Sequence, residues 1–128
     1  MMKSRRSVLF LDDDPAILDA ARRILAARDY AVDTAENLTA ARQLWSTRSY
    51  DVVVVDMIMP EINGHEAINE LSKVLPDAKY VLSSSYYSVF SLNELATYSR
   101  IVAVADKPWT APSLHLLIDS ILEMPQAA

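Results

Sequence analysis

The chain has 128 residues, a hydrophobic fraction of 52% and a formal net charge of −5, which fit one domain with one substantial core and leave no room for a second. The acidic balance and the lack of a long basic tract argue against nucleic acid, and the short Lys3, Arg5, Arg6 group reads as a solvated terminus. Nowhere do roughly 18 apolar residues run together, so neither a membrane span nor a secretory signal is expected. With no cysteine there can be no disulfide framework or thiolate metal site, and the expectation is a soluble, cytoplasmic protein.

Strand-like runs alternate with helical patterns along the chain. The first strand is expected over Ser7 to Leu11 and ends in Asp12-Asp13-Asp14-Pro15. Asp14 suits an N-cap with Pro15 at the first helical position, and Ile17, Ala20, Ala21, Ile24 and Leu25 recur at helical spacing up to a helix end near Arg28. A short strand around Ala31 to Thr34 precedes a helix from about Leu38 to Arg48, whose apolar stripe is Leu38, Ala41, Leu44 and Trp45. Next come Val52 to Val55, four β-branched residues between Asp51 and Asp56. Such a run lacks polar alternation, so it predicts a central parallel strand covered on both faces and ending in an acid. Met57-Ile58-Met59-Pro60 follows, and the only glycine, Gly64, closes a loop where backbone freedom is expected to matter. The helix beyond it carries Ala67, Ile68, Leu71, Val74 and Leu75 and stops at Pro76. Tyr80 to Ser83 predicts a fourth strand ending in a serine run, Ser88 to Tyr98 a helix, and Ile101 to Ala105 a fifth strand ending at Asp106-Lys107-Pro108. The last helix, from about Pro112 to Glu123, buries Leu114, Leu117, Ile118, Ile121 and Leu122. These βα units predict an α/β fold, a doubly wound parallel sheet, with a core of about 7–123 and short tails.

In an open parallel sheet, ligands bind outside the carboxyl ends of the strands, which places Asp56 at the expected site and Asp51 at the opposite end. On that rim the first, third, fourth and fifth strands deliver acids, an acid, hydroxyls and a lysine. Crowded carboxylates repel unless a cation compensates, and hard oxygen ligands suit Mg²⁺. By the same reasoning, removing Asp12 or Asp13 should relieve repulsion in the metal-free protein. Lys107 and a serine hydroxyl can grip the other oxygens of a phosphoryl group, with Asp56 as nucleophile.

Leu9-Phe10-Leu11-Asp12-Asp13-Asp14-Pro15, the stretch from Asp51 to Gly64, and Asp106-Lys107-Pro108 closely resemble the hallmark segments of the response regulator receiver domain, over essentially the whole of residues 1–128. The resemblance implies a flavodoxin-like (βα)5 sheet of five strands in the order 2-1-3-4-5. It implies Asp12 and Asp13 as metal-binding acids alongside Asp56, the acceptor of phosphoryl from a histidine kinase or phosphotransfer protein, with Ile58 offering a backbone carbonyl to Mg²⁺. Ser84 is similar to the family's switch hydroxyl, and Lys107 to its lysine. Such a domain catalyses only its own phosphorylation and dephosphorylation and switches a surface read by a downstream protein or output domain. No output module is recognisable, so a stand-alone regulator is the first expectation and an excised receiver the second.

Val104 departs from the pattern, standing three residues before Lys107 where the family usually has an aromatic switch, and Asp106 puts an extra acid beside the lysine. With that ring missing, Tyr86, Tyr87 and Phe90 are the expected exit route for the signal. Bulky Ile58 and Tyr86 are expected to slow hydrolysis of the acyl phosphate by shielding it from water. An aspartyl phosphatase would need an acid two residues after Asp56, where Ile58 stands. A phosphorylation-independent interaction module with the same fold is the other alternative, since fold does not dictate function. His65 and His115 have no carboxylate or cysteine partner at a recognisable spacing, so surface positions are expected of them, and Trp45 and Trp109 are expected to pack.

Overall fold

The computed structural model describes residues 6–57, 59–60, 62–84, 101–107 and 109–124, with only the backbone of residues 65, 84 and 106. Its elements are β1 (Arg6–Leu11), α1 (Pro15–Ala26), β2 (Tyr30–Ala35), α2 (Leu38–Trp45), β3 (Val52–Asp56), α3 (Gly64–Val74), β4 (Lys79–Ser84), β5 (Ile101–Asp106) and α4 (Ala111–Leu122). All strand pairs are parallel and the five strands lie in the expected order, β2-β1-β3-β4-β5. The helix expected over Ser88 to Tyr98, and with it Tyr86, Tyr87 and Phe90, lies outside the described residues.

The valine run is buried as its composition requires, Val52 to Val55 being at most 1% exposed. Alternate residues of β3 point into two layers. Val53 and Val55 join Leu9, Leu11, Tyr80 and Leu82 beneath α2 and α3, while Val52 and Val54 join Val8, Phe10 and Val81 beneath α1 and α4. With both faces apolar, hydrophobicity alone does not penalise a slip of β3 against β1 by one residue. Polar pins supply the register. Asp51 accepts a hydrogen bond from the Ser7 backbone N–H at 2.9 Å through its side-chain Oδ2, while its main chain donates N–H to Ser7 O and accepts from Lys79 N–H through the backbone carbonyl. The acid expected at the far end of β3 is therefore a clamp across β1, β3 and β4 that sets where Asp56 emerges.

Each described helix begins with a side-chain cap. Asp14 accepts from Ala16 N–H, Asn37 from Ala40 N–H and Asn63 from Glu66 N–H, and Thr110 with Ser113 forms a reciprocal capping box. Helix α2 stops at Trp45, short of Arg48, because the Ser46 and Thr47 hydroxyls bond back to the carbonyls of Gln43 and Leu44. Arg48 instead pairs with Asp33 at 2.8 Å, and Tyr50 donates its hydroxyl to the same carboxylate at 2.7 Å, tying edge strand β2 to the entry of β3. Burial, reinforced by the Asp33 bond and charge, pushes the Tyr50 pKa upward, so that hydroxyl stays a donor. The Lys79 ammonium donates to the carbonyls of Ile121 and Met124, holding the end of α4 against the foot of β4.

Gly64 is required by close approach and not by backbone freedom. Its backbone angle is not left-handed, but an added Cβ would sit 2.7 Å from the Asp56 carbonyl oxygen, 2.8 Å from Met57 Cα and 2.7 Å from Leu82 Cδ2. Two of those atoms are backbone next to the acid, and the Gly64 N–H donates to Met57 O at 2.8 Å. Alanine would gain at most about 1 kcal/mol of helix propensity, while overpacking costs typically ~1–3 kcal/mol. We therefore expect Gly64→Ala to lower stability by about 1–2 kcal/mol, read as a lower urea midpoint at unchanged slope; an unchanged or higher midpoint would contradict this packing.

Candidate functional site

Asp12, Asp13, Asp56 and Lys107 are four of the expected site residues, and the fold brings them together. Asp12 leaves β1 with its N–H bonded to Ala35 O at the end of β2, which turns the acidic loop over the rim. One carboxylate oxygen each of Asp12, Asp13 and Asp56 lies within 4.8 Å of the others. Asp12 and Asp56 are 2% and 8% exposed, whereas Asp13 is exposed to solvent.

Lys107 reaches this cluster from the end of β5. Its Nζ lies 2.7 Å from Asp12 Oδ2 and 3.1 Å from Asp56 Oδ1, with the side chain 12% exposed. Burial alone would lower its pKa, but hydrogen bonds and charges from Asp12 and then Asp56 outweigh burial and leave it raised, so the ammonium stays charged. The other Asp12 oxygen, Oδ1, accepts the Asp14 N–H at 2.9 Å, leaving both oxygens engaged. Asp14 itself caps α1 and is turned away from ligand duty, as expected. Among the described residues three carboxylates face one ammonium, which leaves a net negative charge that a divalent cation would balance. An all-oxygen donor set held this closely fits a hard cation such as Mg²⁺.

The pairing corrects one expectation. Asp12 was expected, like Asp13, to be a source of repulsion whose removal stabilises the metal-free protein. It is instead the nearer of the two carboxylates that pair with Lys107, and deleting it would remove an attraction along with the repulsion. Ser84 continues β4 opposite Asp106 of β5, on the rim where a switch hydroxyl is expected. Ile58 and Pro108 lie outside the described residues. His115 is not a simple surface residue: it is half-buried, and its Nε2–H donates to the Ile24 carbonyl at 2.6 Å, docking α4 on the end of α1. Val104 packs partly buried against the layer under α2 and α3.

Two polar groups escaped notice in the sequence. Ser83 Oγ and Trp109 Nε1 are both buried and, among the described residues, without a hydrogen-bond partner. Leaving such a group unpaired costs about 1–3 kcal/mol, as much as a good hydrogen bond contributes. The serine run at the end of β4 was the available signal, but it could not tell which hydroxyl would turn inward.

Comparison with known proteins agrees with this arrangement. The family model of the response regulator receiver domain matches residues 8–119. The transcriptional regulatory protein GlrR of Escherichia coli (strain K12) is 28% identical over 116 residues, covering 91% of this chain and 26% of that protein. The sensor kinase CckA of Brucella abortus is also 28% identical, over 91% of this chain and 12% of that protein. The chain thus spans about a quarter or less of the length of these relatives. Among solved structures, a CheY-like receiver domain protein from Methanospirillum hungatei superposes with a TM-score of 0.82 at 24% identity, covering 94% of this chain and 95% of that one. The response regulator TrrA of Thermotoga maritima, in complex with Mg(2+)-BeF, gives 0.76 at 28% identity over 91% of this chain and 98% of that one.

The geometry separates the two acids of the first loop. We expect Asp12→Ala to destabilise the metal-free protein by about 1.5–3 kcal/mol, because it removes the shorter of the two ion-paired hydrogen bonds of Lys107 and leaves Asp56 as its remaining partner. Asp13→Ala should change it by no more than about 1 kcal/mol. Both should weaken Mg²⁺ binding, measured as the loss of the melting-temperature rise on Mg²⁺ titration; equal apo stabilities of the two variants would contradict the pairing.

Proposed function

The chain belongs to the response regulator receiver family, and from that premise we propose that it accepts a phosphoryl group from a histidine kinase or phosphotransfer protein onto Asp56. The observation that carries this reading is the Lys107 ammonium seated between Asp12 and Asp56 within the acidic cluster. Asp12, Asp13 and Asp56 would hold Mg²⁺, with the Ile58 carbonyl as a further ligand. The metal, when bound, neutralises charge on the transferring phosphoryl oxygens.

The residues of the chain do the rest. An Asp56 carboxylate oxygen attacks phosphorus, the phosphorus–nitrogen bond of the donor phosphohistidine breaks, and the imidazole leaves with the electron pair and takes up a proton. Lys107, already at the acceptor carboxylate, follows the charge onto the phosphoryl oxygens, and the Ser84 hydroxyl donates to another of them. Hydrolysis of the acyl phosphate returns the carboxylate, so the chain catalyses only its own phosphorylation and dephosphorylation. The phosphorylated domain then signals by presenting a changed surface to a downstream protein or to an output domain, in the cytoplasm and without direct contact to nucleic acid. Among the described residues no helix is long and apolar enough to cross a membrane.

Incubation with Mg²⁺ and acetyl phosphate, followed by intact-mass measurement, tests the reading. Wild type should gain one phosphoryl group and Asp56→Asn none, while Asp56→Asn keeps the wild-type unfolding midpoint within about 1 kcal/mol because the amide preserves shape. Continuous phosphate release without an adduct would indicate a phosphatase, and no adduct under any condition a phosphorylation-independent interaction module.

A further inference from the structure

The two unpaired polar groups left beside the pocket share one face of the sheet. In parallel register, Asp56 of β3 lies opposite Ser83 of β4, and Ser83 opposite Ala105 of β5, so the three form one row across adjacent strands. Alternation along β4 puts Ser83 on the same side as Val81, in the layer beneath α1 and α4 that also holds Ala105, Phe10 and Leu114. Trp109 packs into that layer, its ring centroid 5.8 Å from that of Phe10 in an edge-to-face contact, and lines a cavity of about 450 Å³ with Ala105 and Leu114. Ser83, 2% exposed, therefore stands between the phosphoacceptor on one side and the row that Trp109 covers on the other.

The chemistry of the two groups is complementary. An indole N–H can only donate, whereas a hydroxyl donates once and accepts through two lone pairs. A serine hydroxyl also has three staggered positions, so one χ1 rotation re-aims it. Once Asp56 is phosphorylated, a chain in which Trp109 Nε1–H donates to Ser83 Oγ, and the Ser83 hydroxyl donates to an oxygen of the aspartyl phosphate, satisfies both orphans at once and joins the acceptor to the cavity wall.

We propose that Ser83 and Trp109 form a hydrogen-bond relay that closes when Asp56 is phosphorylated, with Ser83 as positioning residue and the Trp109 indole as the moving ring. This rests on the proposed phosphorylation of Asp56. The added negative charge there draws the Ser83 donor toward it, which turns the lone pairs of Oγ to the indole. Trp109 begins its excursion next to the Lys107 segment, which is itself pulled to the phosphoryl group, so both movements act on one ring. Val104, on the opposite layer and without a ring to swing, cannot supply this motion. Repositioning of the indole reshapes the cavity it lines with Val104, Ser113 and Leu117 between β5 and α4, exposing the change to a partner.

The test is nuclear magnetic resonance on the full ¹⁵N-labelled chain, before and after adding Mg²⁺ and beryllofluoride. The chain has two tryptophans, so Trp45→Phe assigns their indole N–H signals. The Trp109 indole proton should shift downfield and exchange more slowly with solvent, while Trp45, which packs on the other layer, stays put. Ser83→Ala should lose the shift and Ser83→Thr, which keeps the hydroxyl, should restore it, with both variants still gaining a phosphoryl group by intact mass. An unmoved Trp109 signal in wild type whose Asp12, Asp56 and Lys107 amides do shift would overturn the relay alone, and so would a shift that survives in Ser83→Ala. If neither the pocket amides nor the mass responds, the phosphoacceptor reading fails and the relay falls with it. Should Ser83→Ala not fold, the wild-type Trp109 signal decides by itself.

Discussion

Three carboxylates with oxygens inside 4.8 Å repel one another, and the chain tolerates them because Lys107 enters the group and pairs with two. The arrangement is unsymmetrical in a way that suits a phosphoacceptor. Asp12 is fully engaged by Lys107 and the Asp14 N–H, Asp56 shares the same ammonium, and Asp13 faces solvent. Among the described residues one lysine faces three carboxylates, which leaves negative charge that favours a divalent cation, and Asp12 and Asp56 hold that lysine's pKa above its ordinary value. Under the proposed function, the same ammonium that stabilises the acids would follow charge onto an incoming phosphoryl group.

Everything that delivers those side chains is remote from the chemistry. Burial of β3 on both faces contributes roughly 1.5–3 kcal/mol per valine, but it does not choose the register; Asp51 does, by bonding to Ser7 and Lys79 at the opposite edge of the sheet. Gly64 lets α3 abut the backbone behind Asp56, so the loop after the acid is shaped by contact between main chains. Helix α4 is held at one end by Lys79 and along its length by His115 on the α1 terminus.

Belonging to the receiver family does not make this an average receiver. Two of its relatives, a transcriptional regulatory protein and a sensor kinase, are matched by this chain over about a quarter or less of their own length. On the proposed reading, the side chains around the pocket that bear on output are Val104, where a ring is usual, and a buried Ser83 and Trp109 whose polar atoms have no partner among the described residues.

The sequence by itself determined the α/β class, the strand ends that carry acids and lysine, and the start of α1 at Asp14-Pro15, because periodicity, β-branched runs and capping are local properties. Its resemblance to receivers implied the strand order, which the structure shows, and the roles expected of Asp12, Asp13, Ser84 and Ile58. Tertiary structure decided what depends on chain segments meeting: the pairing of Lys107 with Asp12, 95 residues away, which turns an expected source of repulsion into a buried ion pair. It also decided that Gly64 answers to close approach and that His115 docks one helix on another. The early end of α2 was in principle local, yet Arg48 left the helix for Asp33 on the neighbouring strand. Which serine of the run turns inward was beyond sequence for the same reason: the face a strand residue takes follows from register, and register here is set by polar contacts between strands that no local pattern encodes.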